Sequence, residues 1–325
     1  MRPYPKLIVV LTFLFCFCLL FGSFLLGCKK VAVDLKGEVG NDSSTIQNYS
    51  GLAAYSNDLL YYRESASGQL CCFDLEQNKV YRLTTSLGGA RDINAAAKHV
   101  FYRADADKFF MADYAGRNET AVLDKSIGFA QIFDDLLLGI EARPGPIMAF
   151  RFSTKQFDTL YDARVNRFAL SPAARMIYTV DVESTGEPIQ TKLRRFELDR
   201  PSATLQTADL QFQPAIVAVN DSHLIVSEVK PFGLHEYNWE TGEDTVLPAR
   251  SDSFALCGDS LFYLQENDAL YCLNLKVTED ALLIAEAVAC FAILQEKYLF
   301  YSTNDQQDWY SQAPFEKIME LKPAA

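Results

Sequence analysis

A pattern of short apolar segments separated by polar turns recurs along most of the chain. Its clearest copy, residues 253–284, contains four apolar stretches separated by Gly258-Asp259, by a Glu-Asn-Asp turn and by a polar linker. Apolar runs of this length with turn residues between them are typical of antiparallel strands joined by tight turns. This unit is therefore predicted to be a meander of four strands.

The second strand of this unit has counterparts at regular intervals. The seven segments are LLYYRE from Leu59, HVFYRA from His99, LLLGIE from Leu136, MIYTVD from Met176, LIVSEV from Leu224, SLFYLQ from Ser260 and YLFYST from Tyr298. Their spacing of about 40 residues is the period of a four-stranded propeller blade. We therefore predict an all-β protein, a β-propeller of seven four-stranded blades. Six and eight blades are the alternatives, because a terminal segment would complete the last blade.

Two further features repeat with the second strands. Segments rich in small residues precede most of them, as expected for strands crowded around a propeller axis. The third strands end with a polar residue between two apolar ones, as at Asp74, Asp113 and Glu197. Alternation with a period of two buries the apolar pair and turns the polar residue outward. These three carboxylates are interpreted as surface or turn-capping groups, since a catalytic carboxylate would not be replaced by Arg or Asn in other copies.

The alternation of the two strand types supports a family resemblance. Asp58 to Leu75 and Asp259 to Leu275 resemble bacterial extracytoplasmic propellers of unknown function, which are similar to the YWTD propellers of low-density-lipoprotein-receptor-related proteins. The YWTD tetrad is absent, because Tyr61-Tyr62-Arg63 and Phe262-Tyr263-Leu264 lack its Trp and its Asp. The resemblance covers most of residues 45–325. It implies the fold and a tendency to bind proteins or ligands, and it carries over no catalytic residue.

The N-terminus is a separate object. An unbroken apolar run from Leu7 to Leu26 follows Arg2 and Lys6 and ends at Gly27-Cys28, which is typical of a membrane-targeting signal. Its end resembles a bacterial lipobox, in which the cysteine, here Cys28, is acylated after cleavage. The run of about 20 residues is also long enough to cross a bilayer as a helix, so an uncleaved transmembrane anchor is the alternative, and simple secretion is a third.

Each of these readings places the body of the protein on the extracytoplasmic side of the cell membrane. The predicted organisation is a signal peptide with lipobox or a membrane anchor at 1–28, a polar tether at 29–44 and a single propeller domain at 45–325. The tether is assigned because residues 37–44 are rich in Gly, Asn, Asp and Ser. Residues 31–35 could instead supply an extra edge strand.

Charge and cysteine content narrow the function classes. The formal charge of −12 and the pI near 4.8 argue against a nonspecific nucleic-acid binder and against attachment to anionic lipid by charge. Three of the eight cysteines belong to the N-terminal segment, which leaves an odd number in the body: Cys71, Cys72, Cys257, Cys272 and Cys290. They are interpreted as buried free thiols, with a bridge among the last three as the alternative.

Motifs for enzymatic chemistry are missing from the sequence. It contains no GxSxG elbow, P-loop, GxGxxG, HExxH or complete calcium loop, so no cofactor and no metal site are expected. Asp105 and Asp107 lack the remaining ligands of a calcium loop and are interpreted as a solvated loop. His99 and His223 lie beside predicted turns and are interpreted as surface residues.

One set of charged residues suggests a ligand site. The segments that lead to the first strands contain four arginines, Arg91, Arg164, Arg167 and Arg250, and they lie on the same predicted face as acidic loops between second and third strands. One hypothesis is an arginine-lined funnel for an anionic group, since guanidinium groups match carboxylate and phosphate. The other is that these arginines form salt bridges to the neighbouring acidic loops.

The sequence thus favours a membrane-anchored binding or scaffolding module that is not catalytic. Its expected partner is an envelope protein or an anionic small ligand or glycan. The alternative is a carbohydrate-active enzyme, a glycosidase or lyase with two acidic residues facing each other in a pocket at the propeller axis. A third hypothesis is a structural subunit of an envelope complex, which would present a flat apolar patch.

Overall fold

The computed structural model of the chain describes residues 33–41, 43–49, 51–64, 68–83, 89–104, 108–184, 186, 189–277, 280–303 and 317–320. The main compact unit begins at Leu35. The predicted N-terminal signal at 1–28, including Cys28, lies outside the described residues. Neither helix among the described residues combines the length and the apolar character that crossing a bilayer requires.

The first two sheets are four-stranded antiparallel meanders, as the repeat predicts. The first sheet contains β1 (Ala53–Ser56), β2 (Leu59–Arg63), β3 (Leu70–Asp74) and β4 (Lys79–Arg82). The second contains β5 (Arg91–Ala96), β6 (His99–Arg103), β7 (Phe109–Asp113) and β8 (Thr120–Leu123).

The third sheet has seven strands. They are β9 (Gly128–Phe133), β10 (Leu136–Ile140), β11 (Gly145–Arg151), β12 (Phe157–Ser171), β13 (Met176–Ser184), β14 (Gln190–Glu197) and β15 (Gln206–Thr207). The 15-residue strand β12 belongs to two repeats, because residues 157–165 pair with β11 and residues 165–171 pair with β13. A short helix, α2 (Pro201–Thr204), precedes β15. The repeat pattern predicts a break within β12, between the last strand of one repeat and the first strand of the next. The continuity of β12 is the main departure of the structure from that pattern.

Three further sheets complete the described chain. The fourth contains β16 (Pro214–Val219), β17 (Leu224–Glu228), β18 (Gly233–Tyr237) and β19 (Asp244–Arg250). The fifth contains β20 (Phe254–Cys257), β21 (Ser260–Leu264), β22 (Leu270–Asn274) and β23 (Leu282–Ala285). The sixth contains β24 (Val288–Leu294), β25 (Tyr298–Thr303) and β26 (Lys317–Glu320).

The first strands of the repeats lie against one another in a ring. β1 contacts β5, β5 contacts β9, β12 contacts β16, β16 contacts β20, β20 contacts β24, and β24 contacts β1. Small residues permit this approach: Ala53, Ala95, Ala169 and Ala255 are all buried. Aromatic pairs such as Tyr55–Tyr298, with ring centroids 4.8 Å apart, join the last sheet to the first. The sheets therefore have the propeller-like arrangement that the sequence predicts.

The two faces of the ring carry different turns. The turns between first and second strands contact their neighbours: Arg175 Nη1 lies 3.2 Å from Asp134 Oδ2, and Asn220 Nδ2 donates to the Gly258 carbonyl at 2.8 Å. We call the face formed by these turns, 57–58, 97–98, 134–135, 172–175, 220–223, 258–259 and 295–297, the lower face. The opposite face, where the first strands begin, is the upper face.

A segment before the first sheet occupies the centre of the ring. It comprises residues 35–51 and includes helix α1 (Ser43–Tyr49), and we call it the axial segment. Helix α1 contacts β9, β12, β16, β20 and β24, five of the strands that form the ring. The side chains of Leu35 and Ile46 are each 1% exposed. The stretch that the sequence analysis assigns to a tether at 29–44 is therefore packed from Leu35 onward, and the compact unit starts earlier than the predicted domain boundary at 45.

Candidate functional site

The axial segment enters the ring between two sheets. Gly40 donates its amide to the Ile132 carbonyl at 2.9 Å, and its carbonyl accepts from the Ala95 amide at 3.2 Å. A Cβ at Gly40 would lie 2.6 Å from Asn94 Oδ1, so the backbone passes too closely for any larger residue. At the lower face the segment is held by Asp134, whose Oδ1 accepts from the Gly37 amide at 2.9 Å.

Polar side chains attach the axial segment to the inner strands. Asn41 Nδ2 donates to the Ala53 and Ile93 carbonyls, each at 2.7 Å. From α1, Thr45 Oγ1 donates to a carbonyl of β24, that of Ile293, at 3.0 Å, and Asn48 Nδ2 donates to the first carbonyl of β20 at 2.8 Å. Four different sheets are thus joined at the axis by a few residues.

The polarity of this segment has a physical reason. The inner edge of each first strand has no neighbouring strand in its own sheet, so its carbonyl and amide groups face the axis. Such groups require partners when they are buried. Asn41, one of the polar residues from which the tether is predicted, provides two of those partners, and Thr45 and Asn48 of α1 provide the others. The prediction of a tether, which was based on composition, is therefore wrong for residues 35–44, which are packed in the ring.

Arg91, the first of the predicted site residues, lies at the upper face beside a buried acid. It is the first residue of β5 and is aligned with Arg103 of β6. Arg103 Nε donates to Asp92 Oδ2 at 2.7 Å, and the Asp92 side chain is fully buried. Burial raises the pKa of Asp92, and the positive charge of Arg103 opposes this shift.

Arg167 lies in β12 and meets a second arginine on an aromatic ring. Its guanidinium carbon lies 4.8 Å from the centroid of Phe129, and that of Arg143 lies 5.0 Å from the same centroid. Arg143 Nε donates to Asn166 Oδ1 at 2.8 Å, and Arg167 Nη1 donates to the Asn166 carbonyl at 3.3 Å. The Nε atom of Arg167 is buried without a hydrogen-bond partner among the described residues.

Phe129 connects these two arginine pairs. The residue before it, Gly128, lies near the Arg103 guanidinium, and the residue after it, Ala130, donates its amide to Asp92 Oδ1 at 3.3 Å. We call the four residues Arg91, Arg103, Arg143 and Arg167 the arginine rim. Sequence analysis selected two of them. The sequence analysis considered only arginines in the segments that lead to first strands. It therefore missed Arg103, which ends a second strand, and Arg143, which lies in a loop between a second and a third strand.

The other two predicted arginines are both exposed. Arg164 is exposed on β12, and Arg250 is the exposed last residue of β19. Acidic residues on this side of the ring do form salt bridges, but with other arginines: Glu64 pairs with Arg82 at 3.0 Å and Asp181 pairs with Arg194 at 2.7 Å. Asp105 and Asp107 lie outside the described residues.

The remaining candidate residues have structural roles. Asp113 accepts hydrogen bonds from the Ala115 and Arg117 amides, and Asp74 accepts one from the Gln77 amide, so both cap turns as predicted. The five body cysteines are unbridged. Burial raises the pKa of the Cys71 thiol to about 11 and that of Cys72 to about 12, which keeps these thiols protonated.

Two histidines are less exposed than the sequence suggests. His223 reaches two carboxylates, with its Nδ1 2.6 Å from Glu236 Oε1 and its Nε2 3.1 Å from Asp259 Oδ1. Its side chain is 9% exposed, so it is not the surface residue that was predicted. His99 is half-buried, with Nδ1 2.7 Å from the Ala97 carbonyl oxygen. Among the described residues, no group of three or more His, Cys, Asp or Glu side chains is arranged to hold a metal ion.

Comparison with known proteins identifies the fold. An oligogalacturonate lyase in complex with manganese is 14% identical, over 82% of this chain and 87% of that chain, with a TM-score of 0.58. PorZ, a bacterial surface component of the type-IX secretion system of Porphyromonas gingivalis, is 11% identical over 78% of this chain and 35% of that chain, with a TM-score of 0.57. The fold is a β-propeller.

A structure with a YWTD propeller is also among the matches. It comes from a nidogen/laminin complex and is 14% identical over 69% of this chain and 92% of that chain, with a TM-score of 0.48. No family model matches the chain, and no curated protein matches it significantly. At these identities the likeness concerns the fold alone, and the bacterial extracytoplasmic family remains a prediction.

Proposed function

We propose that this protein is a seven-bladed β-propeller that is held on the extracytoplasmic side of the cell membrane by its N-terminus and acts as a non-catalytic binding or scaffolding module. The count of seven follows if the seven-stranded sheet is two blades that share β12 and the other five sheets are one blade each. The N-terminal attachment is a lipid on Cys28 or, alternatively, an uncleaved helix, as the sequence indicates.

The observation that carries the non-catalytic role is the position of the axial segment. Residues of the chain itself occupy the axis, where the enzyme hypothesis needs an open pocket with two facing carboxylates. Helix α1 is attached there through Thr45 and Asn48. This arrangement favours recognition at the faces of the ring over chemistry at its centre.

The arginine rim is the surface that we assign to recognition. Its four guanidinium groups stand out in a chain of net charge −12, and two of them share the ring of Phe129. Guanidinium groups fixed on an aromatic ring are suited to a carboxylate or phosphate group, because less side-chain freedom is lost on binding. The expected partner is therefore an anionic glycan, a small anion or an acidic patch on an envelope protein.

Titration of the full-length protein, purified from membranes, with an oligogalacturonate in the presence of manganese tests this proposal. We expect saturable binding without formation of unsaturated product. Arg167→Ala should weaken binding about tenfold or more, since a charge-assisted hydrogen bond contributes about 1.5–3 kcal/mol. Arg117→Ala, which removes an exposed arginine from a third-to-fourth turn, is the matched control and should change affinity less than about twofold.

Turnover of the oligosaccharide would contradict the non-catalytic role and establish the enzyme alternative. Equal affinity of the Arg167→Ala and Arg117→Ala variants would contradict the assignment of the rim. The intact mass of the same preparation shows whether the N-terminus is cleaved and carries lipid. A first residue Cys28 that carries lipid supports a lipoprotein, whereas a chain that still begins at Met1 or Arg2 supports an uncleaved helix.

A further inference from the structure

A second candidate site lies at the lower face, away from the arginine rim. A cavity of about 400 Å³ opens there between the end of the seven-stranded sheet and the fourth sheet. Its wall includes Tyr178, Tyr237 and Trp239, and its acidic side chains are Asp221, Glu236, Glu240 and Glu243. Tyr178 lies in β13, and the other residues named here lie in the continuous described stretch 189–277. Ligand sites in proteins typically have volumes of about 300–1,000 Å³, so the cavity is large enough for a side chain or a short peptide.

The aromatic wall of this cavity is rigid. Tyr178 and Tyr237 are buried, and both contact Trp239 edge to face, with ring centroids 5.9 Å and 5.7 Å apart. The indole Nε1 donates to Gln206 Oε1 at 3.1 Å, which fixes the orientation of the ring. The following turn is capped by Asn238, whose Oδ1 accepts from the Glu240 amide at 2.9 Å. Groups held in this way need little ordering when a ligand arrives.

The wall already holds one cation of the chain itself. The guanidinium of Arg195 lies 4.7 Å from the centroid of Trp239 and pairs with Glu240 Oε1 at 2.9 Å. Its Nε donates to Gln206 Oε1 at 2.7 Å. This arrangement of a ring face and a carboxylate is the usual environment of a guanidinium group in proteins. The same wall is therefore chemically suited to a second long cationic side chain.

Two carboxylates of the cavity remain for such a ligand. Glu240 is paired with Arg195, and Glu236 is paired with His223. Asp221 and Glu243 are both exposed at the cavity, and neither forms an ion pair with another described residue. They give the cavity an excess of negative charge.

These observations distinguish between two classes of ligand. A saccharide stacks on an open aromatic face, and here Arg195 covers one face of Trp239. A cationic side chain instead needs a carboxylate for its charge and an apolar wall for its methylene groups. We propose that the cavity bounded by Tyr237, Trp239, Asp221 and Glu243 binds an arginine or lysine side chain of a partner protein. Steering by the net negative charge of the chain would increase the rate of this association.

The chain offers an optical probe of this site. It contains two tryptophans, and Trp309→Phe leaves Trp239 as the only one. The probe ligand is an acetylated and amidated pentapeptide, Gly-Arg-Gly-Arg-Gly, added to the full-length protein in detergent. The reference ligand is the same peptide with citrulline in place of arginine, which keeps the shape and removes the charge. We expect a saturable change in tryptophan fluorescence with the arginine peptide and none with the citrulline peptide.

Matched charge variants locate the effect. In the double variant Asp221→Asn/Glu243→Gln the affinity for the arginine peptide should fall about fivefold, since two partly exposed ion pairs contribute about 0.5 kcal/mol each. The control Asp280→Asn/Glu286→Gln removes the same charge from exposed positions beside β23, and its affinity should change less than about twofold.

Three results would overturn the proposal. The first is equal weakening in both double variants, which would indicate general attraction to an acidic surface. The second is saturation by the citrulline peptide. The third is saturation by a neutral trisaccharide under the same conditions without any response to the arginine peptide. None of them bears on the arginine rim, which lies on the upper face and is tested with an anionic ligand, so the two proposals stand or fall separately.

Discussion

The ring of sheets and the axial segment are held together in different ways. The sheets are connected by continuous ladders of backbone hydrogen bonds and by apolar clusters between neighbouring sheets, in which residues such as Phe291 are fully buried. Leu35 and Ile46 of the axial segment are buried as well, but its hydrogen bonds to the ring include side-chain bonds, in which Asn41, Thr45 and Asn48 donate to four carbonyls of the first strands. A repeated apolar pattern builds the ring, whereas a short polar sequence completes its centre.

This difference raises the question whether the centre unfolds together with the ring. The axial segment bonds to the first strands of five sheets, so its loss would leave their inner edges without partners. We therefore expect one cooperative unit. Loss of one contact of the axial segment should then lower the free energy of unfolding of the whole unit, most for a buried apolar side chain and least for an ion pair at the lower face.

Ile46→Ala is expected to have the largest effect. The Ile46 side chain belongs to helix α1 and is 1% exposed. Truncation to Ala should lower the free energy of unfolding by about 3 kcal/mol, because it removes buried methyl groups and leaves a cavity. Urea unfolding of the full-length protein, followed by circular dichroism, should show a single transition at a lower midpoint.

The matched control for this change is Val246→Ala in strand β19. Val246 is 69% exposed, so its truncation should change the free energy of unfolding by less than about 0.5 kcal/mol. If Ile46→Ala left the main transition unchanged and added a separate one at low urea, the axial segment would be an independent plug and the single-unit interpretation would be wrong.

The ring could be predicted from sequence because its signals repeat. All seven predicted second strands begin at the residues where β2, β6, β10, β13, β17, β21 and β25 begin. The four strands predicted within 253–284 correspond to β20, β21, β22 and β23. The continuity of β12 was not predictable. The repeat pattern assigns its two halves to different repeats, and whether the chain bends between them depends on the neighbouring sheets.

The centre and the rim of the ring were harder to predict. The axial segment occurs once, so no periodicity distinguishes it, and the composition of residues 37–44 is equally typical of a linker. Grouping the arginines by predicted loops selected Arg91 and Arg167, but the position of Arg143 beside Arg167 depends on Phe129, which has the backbone angle φ 54°. Contacts that depend on one unusual backbone conformation leave no pattern in the sequence.

Asn41→Ala is expected to have an intermediate effect. The Asn41 side chain is buried and donates to the carbonyls of Ala53 and Ile93, and Ala leaves both without this donor. The free energy of unfolding should fall by about 2 kcal/mol. Amide hydrogen exchange at Ala95, which donates to Gly40, should become faster.

Asn274→Ala is the control for this variant, since it also removes a side-chain hydrogen bond, but in an exposed turn: the Lys276 amide donates to Asn274 Oδ1. Its cost should be about 0.5 kcal/mol, because water replaces the lost partner. Equal costs for the two variants would mean that the inner-edge carbonyls are hydrated when Asn41 is absent, and that the polar contacts at the axis do not hold the ring together.

Asp134→Asn is expected to have the smallest effect, and this effect should depend on pH. The Gly37 amide and then Arg175 hold the pKa of Asp134 below its usual range. A carboxyl with a lowered pKa in the folded state stabilises that state at pH 7, and this contribution is lost as the pH falls through the lowered pKa. The variant should thus be less stable than the wild type by less than about 1 kcal/mol at pH 7, and the difference should disappear as the pH falls through the lowered pKa of Asp134.

Asp199→Asn separates the axial contact from the ion pair. Asp199 also pairs with Arg175, and this arginine is the main cause of the lowered pKa of its carboxyl. Of the two aspartates, only Asp134 also accepts a hydrogen bond from Gly37 of the axial segment. Both variants should lose pH-dependent stability. Only Asp134→Asn should accelerate hydrogen exchange of the Gly40 amide, which donates to Ile132, by several-fold at pH 7. The same exchange rate in both variants would show that Asp134 acts on the lower face alone and that the start of the axial segment is held by its backbone contacts.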